Sequence, residues 1–269
     1  MFKSKVRFVL AGLLSLSLLT LAGCGSASTP APEADDPAPD EKVERVLRVG
    51  SEISYAPFEF MDEQQQPTGF DMELIQALGE DMGYTEVDIE TASFDGLIPA
   101  LQLGKYDAVI SAMTIREDRA ESVLFSDEYF LSRQYIAMKK GADIKSMDDL
   151  EGKKIGVQLN TTGQFAVEDH GMETMKYDIL PNAMNALISG GVDAVVADSP
   201  TILWFQAQNP EAEIESINAN TGDEFYGIAM KLGNTELADE MNASLKKLMD
   251  NGTYNEIYKK WFNEDAPEF

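Results

Sequence analysis

From residue 46 onward, short apolar runs alternate with segments of helical spacing. Val46-Leu47-Arg48-Val49-Gly50 reads as a first strand, and the stretch 70–82 puts Leu74, Ile75, Leu78 and Met82 on one helical face. A strand over 87–90 and a helix over 94–103 follow, and the apolar run 107–113 has the character of a buried parallel strand. After Tyr135-Ile136-Ala137-Met138 the alternation restarts, with a strand at 154–159, a helix from 162, a strand near 177–180, a helix at 182–189, a strand at 193–197 and a helix at 200–207. The strand Tyr226-Gly227-Ile228-Ala229-Met230 then leads to helices at 235–250 and 253–262. The pattern predicts an α/β fold with mixed, mostly parallel sheets covered by helices.

A signature occurs twice. Ala100-Leu101-x-x-Gly104-x-x-Asp107-Ala108-Val109 recurs as Ala186-Leu187-x-x-Gly190-x-x-Asp193-Ala194-Val195, at a constant offset of 86. In both, a helix ends at a C-terminal Gly and a short turn enters a buried strand. Two similar lobes are therefore expected: one built from 45–133 and 227–269, the other from 134–226. The chain would cross between them near 131–136 and 221–227. Ligands of open α/β sheets bind at the carboxyl ends of strands, so two such lobes define a cleft between them.

The chain upstream of the lobes has a different character. Lys3, Lys5 and Arg7 precede an apolar run of about 14 residues, too short to span a bilayer, which ends in Leu21-Ala22-Gly23-Cys24. This resembles a bacterial lipobox, with 1–23 as a cleaved signal and a diacylglycerol carried on the Cys24 thiol. Pro30, Pro32, Pro37 and Pro39 among acidic and small residues make 24–44 an extended acidic tether.

Charge and composition remove several functions. The 269 residues carry 21 Lys+Arg against 47 Asp+Glu, a formal net charge of −26, which opposes binding to nucleic acid or adhesion to anionic lipid. A single Cys excludes an internal disulfide, and a single His excludes the usual multi-His metal sites, so no metal or other cofactor is expected.

Several motifs together resemble the polar-amino-acid solute-binding proteins of ABC importers (extracellular solute-binding protein family 3). They are Ser54-Tyr55-Ala56-Pro57-Phe58-Glu59-Phe60, Gly69-Phe70-Asp71-Met72-Glu73-Leu74, Phe94-Asp95-Gly96-Leu97-Ile98-Pro99-Ala100-Leu101, Thr114-Ile115-x-x-x-Arg119 and Gly252-Thr253-Tyr254-x-x-Ile257-Tyr258-x-Lys260-Trp261-Phe262. The resemblance covers about 45–263. It implies a two-lobed, type II periplasmic-binding fold, monomeric, that closes over a free polar L-amino acid of the arginine, lysine, histidine, glutamine or cystine class and delivers it to the importer's transmembrane permease. It assigns the α-carboxylate to Arg119 and Thr114, with Thr161 and Thr162 gripping from the second lobe, and the α-ammonium to Asp198 and the Ala112 carbonyl. Glu52, Tyr55, Phe94 and Gln158 would meet the ligand side chain. Two positions depart from the family: Arg116 stands where Thr is usual and offers a second guanidinium, and Asn160 replaces a common Gly.

The chemistry of the residue types agrees, because a zwitterion in a dry cleft needs both charges compensated and an Arg fork matches a carboxylate. Blander roles compete. Asp198, Thr161 and Thr162 could be helix caps, Tyr55 and Phe94 core residues, and Glu52 a solvated acid. His170 reads as a helix C-terminal partner, and the 13 Met as packing. An alternative function is a cyclohexadienyl (prephenate or arogenate) dehydratase-like enzyme on the same fold, which would need an acid poised to expel the leaving group.

Overall fold

The computed structural model describes residues 44–267, all within one compact unit. The signal at 1–23, Cys24 and nearly all of the tether lie outside the described residues. The first part of the chain supplies β1 (Val46–Ser51), the small hairpin β2 (Phe60–Met61) and β3 (Pro67–Thr68), α1 (Phe70–Asp81), β4 (Glu86–Thr91), α2 (Phe94–Gln102), β5 (Ala108–Val109), α3 (Glu117–Ala120) and β6 (Val123–Phe125). The middle part supplies β7 (Phe130–Lys139), β8 (Ile155–Gln158), α4 (Thr162–Asp169), β9 (Thr174–Tyr177), α5 (Leu180–Ser189), β10 (Ala194–Asp198), α6 (Ser199–Gln208) and β11 (Ile214–Tyr226). The chain ends with β12 (Ala229–Lys231), α7 (Thr235–Asp250) and α8 (Thr253–Phe262).

These elements form two five-stranded mixed sheets, ordered β4-β1-β5-β12-β6 and β11-β7-β10-β8-β9. The late strand β12 sits inside the first sheet, between β5 and β6, so the C-terminal segment completes the lobe begun at the first strand. The long antiparallel pair β7–β11 carries the chain across and back, with a register shift between Asn218 and Asp223.

The repeated signature has one physical cause in both lobes. Gly104 and Gly190 take left-handed φ values of 78° and 80°, and the N–H groups of Lys105 and Gly191 return to the carbonyls of Ala100 and Ala186. Asp107 then accepts from the Arg48 N–H at 3.0 Å, and Asp193 from the Lys154 N–H at 2.8 Å, each locking the turn to the start of the neighbouring parallel strand. β5 pairs with β1 as β10 pairs with β8, parallel in each case.

Some element boundaries differ from the pattern reading. The 107–113 run is strand only at Ala108–Val109, because Ala112 takes a left-handed φ of 44° and bends the buried chain out of the sheet. The strand expected near 177–180 lies at Thr174–Tyr177, and α5 begins at Leu180 rather than 182, with its Pro in the first turn. β11 includes polar Asn218 and Asp223, held there by pairing with β7 rather than by apolar alternation, while Asn220, with a left-handed φ of 58°, lies in the unpaired bulge between them.

An aromatic cluster holds the first lobe to the roots of the crossing strands. Phe58 lies edge-on to Phe130 at 4.8 Å between centroids, and Phe130 stacks on Tyr226 at 5.5 Å, at the start of β7 and the end of β11. The turn that delivers Phe58 depends on Gly69, whose φ is 132° and whose absent Cβ would run into the Phe58 carbonyl oxygen. Gly69→Ala should therefore destabilise by about 2–3 kcal/mol, a fall in Tm of roughly 5–10 °C. Gly83→Ala, at a φ of 77° with open space around it, should cost about 1 kcal/mol; thermal unfolding of the two variants compares them.

Candidate functional site

Ser111 and nine of the ten sequence-derived binding residues line a single cavity: Tyr55, Phe94, Ala112, Thr114, Arg119, Gln158, Thr161, Thr162 and Asp198. They come from both sheets, at the carboxyl ends of strands and the turns after them. The cavity is about 10 Å³, roughly room for one water, so these walls stand almost in contact. Glu52 is the exception. It does not line the cavity but lies just behind it, buried rather than solvated.

Arg119 sits on the four-residue helix α3, which turns its side chain inward until it is 7% exposed. Its Nη1 donates to the Thr114 carbonyl at 2.8 Å, and its Nη2 to the Asn160 carbonyl of the other lobe at 3.0 Å. The guanidinium lies 5.3 Å from the Phe94 ring centroid, within cation–π range. Burial, and then the nearby Arg116, lower its pKa to about 10, so it remains a cation at physiological pH. Arg116 points elsewhere, to Asp118 at 2.8 Å and over the Phe165 ring at 4.2 Å, and does not reach the cavity.

The opposite charge comes from the second lobe. Asp198 ends β10 at the cap position of α6, but its side chain makes no capping bond. Its carboxylate instead accepts from the Tyr55 hydroxyl at 2.7 Å, across the cleft, and from the Gln134 amide. Burial and then the neighbouring Glu224 raise its pKa to about 7. Thr161 does cap α4, accepting from the Gln164 N–H at 3.4 Å, and donates to the Gln158 carbonyl at 2.8 Å. Thr162 Oγ1 accepts from the Gln134 amide at 3.0 Å, and Thr114 Oγ1 donates to Glu224 at 3.1 Å.

Glu52 and Gln158 meet across the lobes at the far end. Gln158 Nε2 donates to Glu52 Oε2 at 3.2 Å and to the Asp178 carbonyl at 3.3 Å, while its own Oε1 is buried without a donor. The Ser54 hydroxyl donates to the other Glu52 oxygen. Burial outweighs these bonds and pushes the Glu52 pKa up to about 7. His170 caps the C-terminus of α4, its Nδ1 2.8 Å from the Ala166 carbonyl oxygen, and takes no part in the cavity.

Ser111, Gln134 and Glu224 were not singled out by sequence. Ser111 was within reach of the repeat, which places it just before the Ala112–Asp198 correspondence. Gln134 and Glu224 gave no signal, because they sit on β7 and β11 and meet only through that antiparallel pairing. Among the described residues no group of three or more His, Cys, Asp or Glu could hold a metal ion.

Two α/β lobes, joined by paired crossing strands and facing each other over buried charges, make a type II periplasmic-binding fold. The sequence matches the bacterial extracellular solute-binding proteins, family 3, over residues 47–264, and the chain belongs to that family. It is similar to a probable histidine-binding protein of Neisseria gonorrhoeae, 32% identical over 96% of each chain. It is also similar to an L-arginine-binding protein of Pseudomonas aeruginosa, 35% identical over 97% of this chain and 98% of that one. The solved structure of an ancestral arginine-binding protein bound to glutamine superposes with a TM-score of 0.79 at 44% identity, covering 82% of this chain and 100% of its own. These relatives are binding proteins, and the chain is a binding protein rather than an enzyme.

The raised carboxyl groups of Glu52 and Asp198 contribute part of the protein's pH dependence. Each keeps its proton in the folded protein after the unfolded chain has lost it, so the stability linked to them is full below about pH 4. It falls by about 1.4 kcal/mol per group and pH unit as the pH rises towards 7. Denaturant titrations of the ligand-free protein from pH 4 to 7 should show this decline, and Asp198→Asn should reduce its slope.

Proposed function

We propose that this protein captures a free polar L-amino acid outside the cytoplasm by closing its two lobes, and delivers it to the membrane permease of an ABC importer. The observation that carries the reading is one cavity lined by a buried guanidinium from the first lobe and a buried carboxylate from the second. A zwitterion has the matching pair of charges. Arg119, with Thr114 and the helix-start groups of Thr161 and Thr162, would take the α-carboxylate, and Asp198 with the Ala112 carbonyl the α-ammonium. Tyr55 and Phe94 would flank the ligand side chain, and Glu52 with Gln158 would meet its end. The names of the relatives favour the arginine, histidine and glutamine members of the class.

In this reading the lobes comprise 45–133 with 227–269, and 134–226, and close about the crossings near 131–136 and 221–227. A cavity of about 10 Å³ cannot admit an amino acid, so entry requires the lobes to part. Binding then shifts an open–closed population without chemistry. The protein acts as a monomer, held near the membrane by a lipid on Cys24 and the acidic tether.

The test is a thermal-shift screen of protein unfolded and refolded to strip bound ligand, against the twenty amino acids with cystine and ornithine. A ligand at 100 times its Kd adds about 2.7 kcal/mol, which should raise Tm by roughly 5–10 °C. A flat screen would sink the proposal. Arg119→Ala should abolish every response, whereas Glu52→Gln should reorder the preferences among ligands. The two tryptophans, Trp204 on α6 and Trp261 on α8, lie 6.3 Å apart across the lobes, so a bound ligand should also change intrinsic fluorescence.

A further inference from the structure

Two carboxyl groups lie beneath the cavity without lining it. Glu59 follows the turn at 55–58, Asp71 lies in the first turn of α1, and both side chains are wholly out of solvent. Backbone bonds bring them together: the Asp71 N–H donates to the Phe58 carbonyl at 2.9 Å, and the Tyr55 N–H to the Glu59 carbonyl at 2.7 Å. Glu59 Oε1 accepts from the Ser111 hydroxyl at 3.1 Å. Asp71 Oδ2 accepts from the Ala112 N–H at 2.7 Å and the Tyr129 hydroxyl at 2.8 Å. The remaining oxygens, Glu59 Oε2 and Asp71 Oδ1, are buried with no hydrogen-bond partner, and each carboxyl is close enough to perturb the other.

Two carboxylates buried side by side, each with an oxygen that lacks a donor, repel in a dry site, and a single proton on the pair relieves both the repulsion and the unpartnered oxygens. The groups that face the pair are Glu52 after β1, Tyr55, Tyr129 before β7 and Tyr254 on α8, all acidic or neutral. Nothing there compensates a second negative charge. Asp71, with two donors, is the better place for the one charge that remains, and Glu59, with one, the better place for the proton. Burial first, and each other's charge next, push the Glu59 group far above the ordinary glutamate range.

We propose that Glu59 and Asp71 share one proton, carried by Glu59, and that the pair positions the 111–112 backbone beside the ammonium end of the cavity. The positioning role rests on the reading of Ala112 and Asp198 as the ammonium site. Ala112 is held at a left-handed φ of 44°, which an L residue with a Cβ does not adopt without outside support. Its N–H is fixed by Asp71. Ser111 is fixed from both sides, its hydroxyl accepting from the Glu52 N–H at 3.0 Å while donating to Glu59. Glu59 and Asp71 are thus positioning residues that reach the ligand only through this segment.

Glu59→Gln keeps a donor facing Asp71, whereas Glu59→Leu keeps the bulk and loses it. Titration calorimetry with L-arginine, L-histidine and L-glutamine should find Glu59→Gln within about threefold of the unsubstituted protein, and Glu59→Leu weaker by tenfold or more. Infrared difference spectra between the unsubstituted protein and Glu59→Gln at about pH 9, where Glu52 and Asp198 have lost their protons, should show a protonated-carboxyl stretch that belongs to Glu59. Absence of that band, equal weakening by Gln and Leu, or a folded Glu59→Leu with unchanged affinity would overturn the proposal. If Glu59→Leu does not fold, the band and the Gln variant decide. The band needs no ligand, so a protein that binds none of the three probes but shows it loses the amino-acid reading while the shared proton stands.

Discussion

Arg119 and Asp198 are both more than nine-tenths buried, yet among the described residues neither makes an ion pair. One is held by carbonyl groups, the other by a phenol and an amide. Dipoles compensate a buried charge less completely than an opposite charge does, and an incompletely compensated ion in a dry site is costly by several kcal/mol. The rest of the site follows from that constraint. Polar groups of each lobe reach over to the charge of the other: Tyr55 crosses to Asp198, and Arg119 crosses to the Asn160 carbonyl. In the proposed function, a guest that brings both a negative and a positive end would replace these substitutes in a single orientation.

Much of this arrangement was legible in the sequence. The repeated Ala-Leu-x-x-Gly-x-x-Asp-Ala-Val signature gave two lobes because the αβ turn it encodes has a local cause, a left-handed Gly and an Asp that caps the neighbouring strand. Nine binding candidates could be named because the motifs that carry the family resemblance are local stretches of chain, at strand ends, the turns after them and the first turns of helices. Legibility ended where a feature depended on distant pairing. Gln134 faces Asp198 because β7 runs beside β10, and Glu224 joins it because β11 runs beside β7, and nothing near either residue announces it. Glu52 was ambiguous for the same reason, since only the second lobe, through Gln158, removes it from water.

The aromatic residues where the two lobes meet divide between two tasks. Phe58, Phe70, Phe130 and Tyr226 are fully or almost fully buried and make a rigid seat for the crossing strands. Edge-on and offset contacts of this kind each add about 0.5–1.5 kcal/mol beyond the area they bury. Phe60, Trp204 and Trp261 form a second group that reaches from one lobe to the other, with centroids 5.8–6.3 Å apart. The first group packs the roots of β7 and β11 against the first lobe, and the second adds apolar contact between the lobes that no ligand provides.

The position of β12 in the middle of the first sheet bears on how the molecule is made. The second sheet is drawn from one continuous stretch, from β7 to β11, whereas the first waits for β12, α7 and α8, which come last in the chain. During synthesis the second lobe can pair its strands as soon as β11 has emerged. β5 and β6 meanwhile lie apart, each with an unfilled edge, until a strand more than a hundred residues downstream of β5 arrives between them. Contacts of such sequence separation are slow to form, and unpaired strand edges are open to the wrong partner. The lobe that carries the guanidinium therefore completes its sheet after the other can, and the cleft has both of its walls only once β12 has been delivered.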